Sequence, residues 1–366
     1  MRRASPARPD NPHPLLGLEV LRFVCAVSVL VWHYQHFYYV GAQPVGFETS
    51  AQPLYSLLKP FYEAGWLGVQ TFWCLSGFIF FWKYAQPVAT GQVPARHFAL
   101  WRFSRLYPLH LLTLMVVVAL AAAYRALHGG ADFVYSHNDL PHFLLQLAMA
   151  SDWPGRSEWS YNGPIWSISI EILVYALFYG LCRLGWTRPW QVATLIGGAG
   201  LVYALKLTPH PVVLCVFFFY LGAATHLAHE TWLRWSRPRQ QAALMLAWLA
   251  GVSGTAALMT GLLRPMFYVA LISPLALLVL LDAVQPRSTT WARRIQALGN
   301  TTYASYLLHF PLQLGTVTLA AALGWALPAS QPLFLLGFLG LTFALATLVY
   351  RKVEMPAQRW LRRKLG

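Results

Sequence analysis

Long apolar runs broken by short polar punctuation dominate this chain. Crossing a hydrocarbon core of about 30 Å takes roughly 20 apolar residues in a helix. Ten runs meet or approach that length: 17–40, 66–83, 106–124, 165–185, 189–206, 211–229, 241–262, 267–285, 301–323 and 333–350. The pattern predicts an all-α integral membrane protein of about ten transmembrane helices. Leu140–Ala150 is apolar but too short to span, and reads as a re-entrant or interfacial helix. The spans 165–185 and 189–206 are separated only by a tight Thr187-Arg188-Pro189 turn.

Composition supports the membrane. Of the 366 residues 57% are hydrophobic and 11% charged, whereas soluble domains carry about a quarter charged residues. A net charge of +15 suggests nucleic acid at first sight, but the positions exclude it. The basic residues alternate between loops instead of gathering in a patch. With the N-terminus inside, 21 of the 27 Lys and Arg fall on inner segments and five on outer ones, while Arg22 lies within a span. Inner loops of membrane proteins carry such an excess, so both termini are expected on the cytoplasmic side. Residues 1–14 then form a disordered basic arm, 15–352 a ten-helix membrane domain and 353–366 a basic cytoplasmic tail.

No cleavable signal peptide is expected. The apolar stretch after the arm is long, contains Arg22 and His33, and lacks a small-residue cleavage site. Cys25, Cys74, Cys182 and Cys215 all lie in apolar runs, which points to core packing and not to disulfides.

Ionisable groups inside spans are costly and mark function by default. Glu19, Arg22 and His33 share the first span, and eleven residues separate the last two. Eleven residues come within about 20° of three full turns, so Arg22 and His33 lie on one face. Glu19 and Arg22, three apart, are placed to pair; a hydrogen-bonded packing role is the competing reading for His33. Arg102 and Arg105, one turn apart at the start of the third span, suit phosphate oxygens or anchor to lipid headgroups. Glu171 aligns with Ser167 and Tyr175 on an apolar helix, and His309 follows Ser305 and Tyr306 by four and three residues. Ser76-Gly77 reads mainly as a close-packing pair, and His36, His110 and His226 as packing or interfacial residues. The outer loop 125–164 combines Asp132, Asp139, Asp152 and Glu158 with Trp153, Trp159 and Tyr161. That mixture fits sugars, or an interfacial aromatic belt with solvated acids. No metal motif, Gly-rich phosphate loop or Gly-x-Ser-x-Gly elbow is present.

These residues, taken together, resemble the membrane acyltransferases of the acyltransferase 3 family. The likeness rests on Leu21-Arg22 with His33, Leu75-Ser76-Gly77-Phe78, Arg102-x-x-Arg105-Leu-Tyr-Pro108, Trp166-Ser167-x-x-x-Glu171, Ser305-Tyr306-Leu307-x-His309 and Glu354-x-Pro356. Glu19 stands where Asp is commoner, and Trp73-Cys74 where a bulky apolar pair is usual. The resemblance implies transfer of an acyl group, commonly acetyl from acetyl-CoA, to a hydroxyl of a glycan or lipid-linked sugar in the bacterial inner membrane. Acyl-CoA is then a donor substrate, and no cofactor is held permanently. His33 matches the family's essential histidine, and Arg102 and Arg105 its arginine pair. Glu171 and His309 become candidates to orient His33, and Arg22, Ser76 and Tyr306 candidate substrate contacts. Relatives with an appended hydrolase-like domain exist, and this ten-helix unit is expected to act alone or with a partner protein. The rival class is a proton-coupled transporter or flippase with His33 and Glu171 as a relay. This sequence shows neither the inverted repeat nor the paired broken helices expected of that class.

Overall fold

The computed structural model describes residues 15–155, 158–286 and 288–365. The arm 1–14, with Arg2, Arg3 and Arg8, lies outside the described residues, as do Arg156 and Arg287. Among the described residues, nine helices are long and apolar enough to cross a membrane.

The tenth expected span, Pro189–Ala204, has only 16 residues, about 24 Å at 1.5 Å per residue. Its flanks establish that it crosses. Just before it, Arg183 Nη1 donates to the Val88 carbonyl at 3.3 Å, on the arginine-rich face. Just after it, His210 Nε2 donates to the Asp152 carbonyl at 3.1 Å, in the loop on the opposite face. The chain therefore changes faces along this helix. Leu15 and Arg362 line one cavity, so both ends of the described chain share a face, as ten crossings require.

The seventh span, Arg237–Met259, shows what the surroundings must be. Its Met245, Leu246, Trp248 and Val252 are all more than 60% exposed. A helix apolar all round and yet unburied is stable only against lipid. At the centre of the bundle, the second span (Gly68–Phe80) and the sixth (Val212–Trp232) touch backbone to backbone. A Cβ on Gly77 would strike the Phe219 carbonyl, and one on Gly222 the Cys74 carbonyl. Small residues let membrane helices approach this closely, which confirms the packing role read for Gly77. All four cysteines are free and buried.

The structure departs from the hydropathy pattern in its polar stretches. The third span is one helix from Ala95 to Leu127, 33 residues long, not 106–124. The segment carrying Arg96, Arg102 and Arg105 is thus helical: it holds no glycine, Pro94 precedes it, and its charges merely lower its hydropathy. The first span is α-helical over Leu16–His33, followed by a 3₁₀ turn at Tyr34–Tyr38 and a hairpin pairing Tyr39–Val40 with Gln43–Pro44. Leu140–Leu147 is a short helix that does not span, as its length predicts. Three further helices escaped the hydropathy reading: Tyr55–Ala64, Thr289–Asn300 and Met355–Leu365. The last folds the basic tail back on the third span, where Arg362 Nε donates to Ser104 Oγ at 3.1 Å and Arg96 to the Leu365 carbonyl at 2.9 Å.

Candidate active site

A cavity of about 750 Å³ enters the bundle from the arginine-rich face. The first four spans, the ninth (Thr302–Leu323), the helix Thr289–Asn300 and the C-terminal helix all contribute to its wall. It brings together Arg22, Ser76, Arg102, Arg105, Glu171 and Tyr306, residues spread over most of the sequence. Two cations that sequence reasoning placed only among the orienting charges, Lys83 and Arg362, line it as well.

Each cation is held differently. Arg22 Nη1 bonds Glu19 at 2.9 Å, the i, i+3 pair expected from sequence. Arg105 pairs with the fully buried Glu354 and lies over the Tyr303 ring at 5.7 Å. Arg102 Nη2 donates to Tyr84 Oη at 2.7 Å, and its guanidinium rests on the Phe80 and Tyr84 rings at 5.1 and 5.0 Å. Its Nε is buried with no hydrogen-bond partner. Tyr84 and Glu354 both come from π-helical turns, Phe81–Ala85 and Tyr350–Glu354, at the ends of the second and tenth spans. Such turns insert one residue and re-aim the side chains around them, often at functional sites. Here each turn delivers the partner of one arginine. Among the described residues, no carboxylate lies within ion-pair distance of Lys83, Arg102 or Arg362.

Deeper in the cavity, Glu171 is flanked by Ser76 and Tyr175, and one of its oxygens has no partner. Tyr306 forms the inner wall. Its hydroxyl donates to the Pro164 carbonyl at 2.8 Å and lies 2.8 Å from Ser167 Oγ.

His33 and His309 do not line this cavity. They sit beyond Tyr306, whose ring is 5.9 Å from that of His309. Their own rings are 4.8 Å apart, and His36 joins them 5.1 Å from His33. All three are buried. His33 Nδ1 donates to the Val29 carbonyl at 2.9 Å, which fixes the tautomer and leaves Nε2 as the acceptor nitrogen. Neither ring nitrogen of His309 bonds a side chain; the nearest polar groups are the backbone of Ser305 and Tyr306. The structure therefore draws His36, set aside from sequence as packing or interfacial, into the same cluster. Its position three residues after His33 was the available signal. His110 keeps its packing role, with Nε2 donating to the Gln146 carbonyl at 2.7 Å.

The outer loop commits most of its polar groups to bonds within itself and to the adjoining spans. Arg125 clamps Asp132 through two bonds of 2.9 and 3.0 Å. Trp153 Nε1 donates to the Ser169 carbonyl, and Tyr161 Oη to the Asp139 carbonyl. Trp159 stays exposed. No motif announced the group His137, His142 and Glu158, whose ligand atoms converge within 4.8 Å.

Fold and cavity define an integral membrane protein whose cationic chemistry is gathered at one face, with buried imidazoles behind it. The chemistry follows from comparison with known proteins. The family model for an acyltransferase domain matches residues 15–351, and the chain belongs to that acyltransferase family. It is similar to the acyltransferase MdmB of Streptomyces mycarofaciens, with 26% identity over 389 residues covering 96% of this chain and 93% of that protein. No solved structure matches the chain. The protein is an integral membrane acyltransferase.

Proposed function

We propose that the enzyme moves an acyl group, by default acetyl, from cytoplasmic acyl-CoA to a hydroxyl of a glycan or lipid-linked sugar. The observation that carries the reading is the cavity of about 750 Å³ with Arg22, Lys83, Arg102, Arg105 and Arg362 in its wall. Three of these, Lys83, Arg102 and Arg362, have no carboxylate partner among the described residues, and unpaired cations in a confined site favour a polyanion such as the phosphates of a CoA nucleotide. The planar guanidinium of Arg102 suits phosphate oxygens bidentately. The thioester end then extends inward toward Ser76, Glu171 and Tyr306.

The acceptor enters from the opposite face, which the loop 125–164 covers. A sugar hydroxyl is a weak nucleophile and gains from a base near its proton. His33 Nε2 takes that proton as the hydroxyl oxygen attacks the thioester carbonyl. The carbon–sulfur bond breaks, and CoA departs as a thiolate that takes up a proton. His309, 4.8 Å from His33 ring to ring, positions the imidazole. Tyr306 stands between thioester and base and must turn or hand over a hydrogen bond for the reactants to meet. The cytoplasmic side is assigned to the arginine-rich face on the distribution of basic residues, in a bacterial inner membrane.

Purified protein given labelled acetyl-CoA and membrane glycolipid tests the reading. Labelled acceptor with released CoA is expected; no transfer with any sugar acceptor overturns it. The orientation has its own test. Glu48→Cys should react with an impermeant thiol reagent in intact cells and Ser236→Cys should not, since the native cysteines are all buried. The reverse result inverts the topology.

A further inference from the structure

The loop on the face opposite the arginines holds a cluster that acyl transfer does not use. His142 lies on the short helix Leu140–Leu147, which Asp139 caps by accepting from the His142 backbone N–H at 3.0 Å. The same Asp139 oxygen accepts from the His142 ring at Nδ1, 2.6 Å away. A carboxylate on Nδ1 leaves Nε2 of the neutral ring as a lone-pair donor, as when a carboxylate behind a metal-bound histidine fixes its tautomer and orientation.

That Nε2 is buried and makes no well-aligned hydrogen bond. It faces Glu158 Oε2 at 3.2 Å, and the same oxygen lies 3.4 Å from His137 Nδ1. All three atoms fall within 4.8 Å of one another. An ion about 2.0–2.2 Å from each of three tetrahedral ligands spaces those ligands about 3.4 Å apart. Two edges of the triangle already have that length, and a small rotation of the half-exposed His137 closes the third.

We propose that His137 Nδ1, His142 Nε2 and Glu158 form a binding site for a zinc-class divalent ion, with Asp139 as the positioning residue behind His142. Two imidazoles and a carboxylate are a donor set that zinc prefers, and three protein ligands leave a fourth position to water. The ligands come from both arms of the loop, so the ion clips them together. Tyr135, two residues before His137, packs against Trp159 at 6.3 Å and His36 at 6.1 Å. The clip thus fixes the cover over the histidine cluster.

The test uses the full chain purified without a polyhistidine tag, stripped with chelator and titrated with ZnCl₂. One zinc per chain at micromolar affinity or tighter is expected, together with a higher melting temperature. His137→Asn with Glu158→Gln should abolish both effects and leave the chain folded, since both side chains are about half exposed. Asp139→Asn keeps a good helix cap and should weaken zinc about 10–100-fold, as loss of an outer-shell partner does. Zinc uptake by the parent no greater than by the double variant would overturn the proposal and leave an imidazolium held between two carboxylates.

Discussion

The cavity at the arginine-rich face and the histidine cluster beyond Tyr306 handle polar groups in opposite ways. In the cavity, charge is kept charged: Glu19 balances Arg22, Glu354 balances Arg105, and ring faces with a tyrosine hydroxyl support Arg102. Across Tyr306, three imidazoles pack on one another and on Trp32, Tyr135 and Phe310. Among the described residues, no carboxylate pairs with any of them. An ion buried without partner or water is expensive, whereas an uncharged imidazole is not. On the proposed function, the first region receives the phosphates of the donor and the second offers a neutral imidazole nitrogen to the acceptor hydroxyl. Tyr306 is where the two roles meet.

The largest effect should come from the second region. His33→Ala should lower turnover per folded molecule about 10²–10⁴-fold, the usual contribution of a general base. Folded yield should stay near that of the parent. Turnover within tenfold of the parent would make His33 a packing residue and collapse the contrast.

Next comes the paired charge of the first region. Arg105→Ala leaves Glu354 fully buried with no guanidinium, and breaking a buried pair costs about 3–5 kcal/mol. Thermal unfolding should show that loss, and adding Glu354→Ala should recover much of it by removing both charges. Activity should not return with the fold if Arg105 also contacts the donor. Unchanged melting of the single variant would show that the pair is not structural.

Tyr306→Phe should have the smallest effect on stability. It deletes one buried hydroxyl bonded to Pro164 and close to Ser167, worth about 1–2 kcal/mol. Melting temperature reads that term, and kcat against KM shows whether the hydroxyl serves the reaction. A fall in kcat with unchanged donor KM places Tyr306 at the junction; a rise in KM alone places it in the donor cavity.

Much of this was legible from the sequence because lipid imposes so simple a pattern. Hydropathy located all ten crossings, and even the 16-residue Pro189–Ala204 crosses. Ionisable residues stood out against apolar spans, so Arg22, Glu171, His33 and His309 were visible one by one. What stayed hidden depended on three-dimensional placement. Lys83 and Arg362 look like any inner-face charge until the C-terminal helix folds back. Nothing local in Phe81–Ala85 or Tyr350–Glu354 announces a π turn, so the roles of Tyr84 and Glu354 were out of reach. His137, His142 and Glu158 converge only because the loop folds on itself, at spacings no motif matches.

The claim that donor binding and proton transfer occupy separate regions is tested most directly by equilibrium binding of labelled acetyl-CoA. The parent, His33→Ala and Arg102→Ala would be compared in the same detergent, each corrected for folded protein. His33→Ala should bind within about twofold of the parent. Arg102→Ala should bind at least tenfold more weakly, about 1.4 kcal/mol. Parent-like binding by Arg102→Ala, or lost binding by His33→Ala, would contradict it.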